Sequence, residues 1–288
     1  MAQICDFVIP LLFLSALHWR ILCTFVAEFV FSTMEQQLYD TTLLIGASIN
    51  LMIAFVLLHN NYWYRDYEVY HRSRQFSALV YLAFAVGFLL HAHYAWRTAW
   101  PAAASALSVS YFHIGAVFFG WSHTSLLKPD YLTRRIVVRD LMILMIGIIS
   151  YWMAVANSSL FILHLSFSIF YLHAPYIAFT FYRTYYRVRR SLSSRTVDGN
   201  APRWWTEEAK REVLSLHHSF VLCCHLIILF GLGSIVVTAL FPTAVWPYTV
   251  LLCLGIAVFC YIFYALEEYG SVIESATNAT EDLSKKTI

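Results

Sequence analysis

The chain has 288 residues, 60% of them hydrophobic and 12% charged, about half the charged fraction of a soluble domain, so it reads as a membrane protein. Its 22 Phe, 19 Tyr and 9 Trp and its mean hydropathy of +0.62 agree with this, because amphipathic rings collect at bilayer interfaces. The formal net charge of +2 is partitioned by side rather than gathered into a face for nucleic acid, and the six cysteines lie in apolar stretches without C-x-x-C spacing, as buried thiols do.

Residues 1–33 hold two apolar runs, 7–19 and 21–31, each shorter than the roughly 20 residues a spanning helix needs. Arg20 separates them and Glu28 interrupts the second; neither a basic start nor a small-residue cleavage site marks a secretory signal. The stretch reads as an extra hydrophobic leader or as an over-extended start, with MEQQLYDTT from Met34 as the ordinary beginning.

Seven spans follow, at 41–59, 76–96, 101–121, 137–156, 158–182, 218–240 and 246–266, each long enough to cross about 30 Å of hydrocarbon. They predict an all-α, polytopic seven-helix bundle over 34–266 with a cytoplasmic tail at 267–288. Between spans 5 and 6 lies a basic island, 183–211, with Arg183, Arg187, Arg189, Arg190, Arg195, Arg203, Lys210 and Arg211 against three acids. Cytoplasmic loops carry the excess of Lys and Arg. Placing the island inside puts every Lys and Arg of the seven-span region except Arg97 on the inner side, which predicts an N-terminus outside and a C-terminus inside.

The outer connections are short, so neighbouring spans pack side by side, and a ligand must enter at the bundle mouth or through the bilayer. Within the island, Asp198-Gly199-Asn200 is a turn cluster, and Thr206 with the acids after it starts the helix leading into span 6. Arg187, Arg189, Arg190, Arg195, Trp204 and Trp205 either lie on anionic headgroups or form a docking surface for a cytoplasmic partner. Beyond span 7, Val272, Ala276, Ala279 and Leu283 make a short 4-3-4 seam, a candidate homodimer contact if the helix continues past Gly270.

Of 17 acidic residues only Asp140, beside Arg139, falls within a span, and no lysine does. Histidine supplies the interior ionisable chemistry: His91 and His93 in span 2, His113 in span 3, His164 and His173 in span 5, His225 in span 6. At 1.5 Å per residue, His113 lies roughly 18 Å from the outer end and His173 and His225 roughly 22 Å, so three imidazoles on three helices are placed to meet. His91, His93 and His164 form a shallower layer; helical phase lets only one of His91 and His93 face a common pocket, and sets His164 opposite His173 unless Pro175 kinks the helix.

These histidines have three readings. They are neutral cross-links to Ser166, Ser168, Asn50 or backbone carbonyls; or ligands of haem b or a transition metal; or a pH-responsive or ligand-contacting set. Retinal is excluded because the last span has no lysine for a Schiff base. The motifs of G-protein-coupled receptors are missing at Gly120-Trp121-Ser122-His123 and Phe263-Tyr264, and the histidine pair that completes the zinc site of adiponectin receptors and alkaline ceramidases is missing from span 7.

The runs Tyr111-Phe112-His113-Ile114-Gly115, Ser122-His123-Thr124-Ser125-Leu126-Leu127, Tyr131-Leu132-Thr133-Arg134-Arg135 and Val137-Val138-Arg139-Asp140 resemble uncharacterised multi-pass proteins of Bacteroidota over most of the seven-span region. The resemblance implies sensing or signalling, with the output passed to a partner in trans. The first expectation is therefore a non-enzymatic sensor that transmits a small-ligand or pH signal. The second is a haem or metal enzyme built on His113, His173 and His225. A small-molecule transporter is the third, short of interior carboxylates for ion coupling.

Overall fold

A computed structural model describes residues 34–157, 159–197, 207–241 and 244–286, with their side chains apart from those at 61, 160, 188–197, 207–217 and 272–286. Among these residues seven helices are long and apolar enough to cross a membrane. They are α1 (Met34–His59), α2 (Glu68–Tyr94), α3 (Pro101–Leu127), α4 (Arg134–Ala156), α5 (Leu160–Val197), α6 (Glu207–Leu240) and α7 (Trp246–Lys286). In hydrocarbon a segment must satisfy its own backbone groups, and a continuous helix does so. The protein is a multi-pass membrane protein with an all-α seven-helix bundle.

Local chemistry sets the helix ends. Pro101 opens α3 at a position where its missing N–H is not needed, and the Thr133 hydroxyl caps α4 by accepting from Ile136 N at 3.4 Å. At the end of α2, Ala95 takes a left-handed conformation with φ 46°, after which the short turn Trp96–Ala99 carries Arg97 back into the bundle. All the helices from α2 to α7 except α4 run six or more residues past the predicted spans at the end carrying the basic segment.

α3 is the axis of the bundle. Its most apolar window is 72% buried, against 22% for α4 and for α6, and it packs on α2, α4, α5 and α6. The close approach of α5 depends on Gly120, where a Cβ would lie 2.3 Å from Ile177. α7 joins α6 and also α2, where Tyr81 and Tyr70 donate to the carbonyls of Phe259 and Leu266 at 2.8 and 2.7 Å. α1 completes the ring, with Gly46 against Phe88 of α2 and Ile256 of α7. Between α5 and α6 the contact is sparse. Phe84, Tyr111, Phe230 and Phe259 fill the centre, while residues such as Phe55, Met145, Met153, Leu172 and Leu254 cover the outward faces. Apolar residues on both sides of the helices are expected where the solvent is lipid.

Candidate functional site

A row of buried ionisable side chains lies where α3, α4 and α5 meet. His113 Nε2 lies 2.8 Å from His173 Nδ1, and His113 Nδ1 lies 2.9 Å from the Tyr151 hydroxyl. His173 Nε2 is 3.6 Å from Asp140 Oδ1, and Asp140 accepts from Trp121 Nε1 at 2.9 Å and from Arg139 Nε at 2.8 Å. Arg139 Nη1 reaches on to the Tyr176 hydroxyl at 2.8 Å. His113, His173, Tyr151 and Asp140 are all buried, whereas the Arg139 side chain is 38% exposed. The row therefore leads from the middle of the bundle to the surface near the basic end.

Chemistry gives the row a direction. His173 Nε2 stands 3.6 Å from Asp140 Oδ1, beyond hydrogen-bond reach, but the carboxylate only accepts and so favours the neutral tautomer with the proton on Nε2 and the acceptor at Nδ1. His113 then donates from Nε2 and accepts at Nδ1, where Tyr151 donates. Gly147 makes this possible: a Cβ there would stand 2.7 Å from the Tyr151 hydroxyl and 3.1 Å from His113 Nδ1. Just beyond the spans, burial and then the charge of Asp140 push the Tyr131 phenol up to about 12.

The other predicted histidines lie elsewhere. His225 is exposed on α6, bonded to the Val221 carbonyl at 2.7 Å and set against the Tyr182 ring, so the three-helix meeting reduces to His113 and His173. His91 is buried 3.1 Å from the Ser108 hydroxyl, His93 is exposed beside Tyr94, and His164 is half-buried against Phe167. Asn50, Ser166 and Ser168 bond back to Gly46, Leu163 and Leu165 of their own helices instead of bridging to histidines, the local competition open to short polar side chains. Among the described residues no group of three His, Cys, Asp or Glu is placed to share a metal ion, and the facing nitrogens of His113 and His173 are occupied with each other.

Arg187 is exposed on α5; the side chains of Arg189, Arg190 and Arg195, and Trp204 and Trp205 altogether, lie outside the described residues, as do residues 1–33. α7 continues past Gly270, but the side chains of Val272, Ala276, Ala279 and Leu283 also lie outside them. Comparison with family models, curated proteins and solved structures returns no match.

Sequence reasoning passed over several members of the polar interior. Tyr151 and Gly147 stand one helical turn apart in the apolar part of span 4 beyond Asp140, and that spacing is the signal they leave. Arg74, two residues before the predicted span 2, is buried on α2; its Nη1 donates to Glu267 Oε1 of α7 at 2.6 Å and to the Tyr70 hydroxyl at 3.1 Å. On either side of Arg74 in sequence, the Ser73 and Ser77 hydroxyls meet that of Ser122 at 2.6 and 3.0 Å, tying α2 to α3.

Proposed function

We propose that the protein is an integral-membrane sensor or signalling module, in which a proton or small ligand reaching the His113–His173 pair shifts α5 against α3 and α4 and moves the basic segment that α5 runs into. The observation that carries this reading is the row from Tyr151 through His113, His173 and Asp140 to Arg139, which ties three helices together through ionisable groups. Such groups are costly inside a membrane and tend to serve function.

Protonation changes the row in a definite way. Both imidazole acceptor nitrogens are in use, so an added proton at His113 Nδ1 forces the Tyr151 hydroxyl to rotate from donor to acceptor. When the positive charge resides on His173, it stands 3.6 Å from Asp140. At an effective dielectric constant of about 20, an attraction over that distance is on the order of 4 kcal/mol. This compares with the few kcal/mol that separate alternative packings of a bundle, so it suffices to bias one. The groups facing the pair are Asp140, Arg139 and Tyr151 from α4, Trp121 from α3 and Tyr176 from α5.

In this reading the membrane is a bacterial inner membrane and the basic end faces the cytoplasm, an orientation that the distribution of Lys and Arg supports. The signal passes in trans to a cytoplasmic partner. Capture of cytoplasmic proteins by the full chain in nanodiscs at pH 8 and pH 5.5 tests this. The expected result is a partner set that changes with pH and is lost on deletion of 183–211; identical sets from the deleted and intact chains contradict it.

A further inference from the structure

A second site adjoins the polar row on the other side of α5. A cavity of about 90 Å³ lies between α3, α5 and α6, floored by Gly115, Ala116 and Gly120, walled by Ala174, Ala178 and Gly231, and backed by Phe84 of α2 and Phe259 of α7. It extends from Phe112 to His123 on α3, from Phe170 to Phe181 on α5 and from Cys224 to Ile235 on α6. Each of these stretches covers about 16 Å at 1.5 Å per residue, so the cavity is a narrow slot along the helix axes. Pro175 and Leu232, which line it, are also exposed on the lipid-facing surface, and α5 and α6 touch sparingly. The slot therefore opens sideways into the bilayer.

We infer that this slot binds a single hydrocarbon chain taken from the bilayer. Its two lining polar side chains are already satisfied within the protein: Ser234 donates to the Gly231 carbonyl at 2.7 Å, and His123 bonds the Phe119 carbonyl at 2.9 Å and faces Cys223 Sγ at 3.6 Å. An occupant therefore finds no polar group that needs it, and an apolar cavity takes an apolar guest in preference to water. A slot this long and this small in volume fits an extended chain and not a compact ring system. Gly231 is the independent observation: a Cβ there would meet nothing within 4 Å. Packing does not require the glycine, and helix propensity disfavours it; its absent side chain leaves the space open.

The inference deepens the sensor reading by naming the ligand class, and it rests on that reading only for the step from occupancy to movement. On α5, Ala174, Pro175 and Ala178 face the slot, while His173 and Tyr176 face the polar row. Phe170 does both, lining the slot with its ring 5.6 Å from that of His113. A chain wedged between α5 and α6 thus presses on the helix that holds His173.

The test uses the full chain in nanodiscs and two probes, a fatty acid and a phosphatidylethanolamine, each with a diazirine midway along its chain. Illumination is expected to label slot-lining residues such as Ala174, Ala178, Ile227 and Gly231, with competition by unlabelled fatty acid. Gly231→Leu, which fills the slot, is expected to lower that labelling at least tenfold. Labelling by the fatty acid alone identifies a free chain and labelling by the phospholipid a lipid tail; either sustains the inference. Labelling confined to outward residues such as Leu172, Phe179 and Leu229, or unchanged by Gly231→Leu, overturns it. If that variant does not fold, the unaltered chain decides: labelling of the slot-lining residues that excess unlabelled fatty acid competes away sustains the inference, and labelling that it leaves unchanged overturns it. Chain binding without a response of the basic segment would sink the sensor reading alone; a response without chain binding would sink this inference alone.

Discussion

Replacing Asp140 by asparagine probes the polar row at its acceptor. The groups that face this carboxylate all donate: Trp121 Nε1 at 2.9 Å, Arg139 at 2.7 and 2.8 Å, and the His173 Nε2 edge at 3.6 Å. An asparagine offers one acceptor oxygen and turns an NH₂ group toward the remaining donors. A hydrogen bond to a charged group contributes about 1.5 to 3 kcal/mol, and an unsatisfied buried donor costs about 1 to 3. The Arg139 side chain is 38% exposed and can turn to water, so its share is discounted. The expected loss of unfolding free energy is then about 2 kcal/mol for Asp140→Asn. Asp140→Ala, which also strands the Trp121 N–H, should lose about 3 to 4 kcal/mol. Steric-trap unfolding in bicelles measures both. Values within 0.5 kcal/mol of the parent for the asparagine variant would refute the assignment of Asp140 as common acceptor.

Other outcomes follow from single contacts. Gly147→Ala should cost about 1 to 3 kcal/mol by overpacking and should separate Tyr151 from His113, visible as a changed ¹⁵N shift of His113 Nδ1. Arg74→Ala removes a buried cation whose partner Glu267 is 27% exposed, so the loss should fall near 2 to 3 kcal/mol, below that for a fully buried pair, and Arg74→Lys should restore part of it in the same unfolding assay. Ala95→Gly should raise unfolding free energy by about 1 kcal/mol, because glycine adopts the left-handed conformation without a Cβ penalty.

The seven helices were legible because bilayer thickness sets a length that apolar runs must meet, and the chain meets it seven times. Their extensions at the basic end were not, since hydropathy stops at the charges while a helix needs no apolar side chains once it leaves hydrocarbon. Rise per residue sufficed to bring His113 and His173 to one depth. It could not place His225, because the rotation of α6 about its axis is decided by packing against α7 and the arc it leaves to lipid. Asp140 stood out as the one acid within a span. The pairing of Arg74 with Glu267, 193 residues apart, leaves no local pattern to read.

The central claim is that the row from Tyr151 to Arg139 governs the position of α5. The most direct test is the distance between spin labels at Arg187→Cys on α5 and Lys128→Cys at the end of α3, measured in nanodiscs at pH 8 and pH 5 with the other reactive cysteines replaced. The account predicts a distance distribution that shifts with pH in the otherwise unaltered chain and stays fixed when His173→Phe is added. A distribution that does not shift in the first, or shifts equally in both, would contradict it.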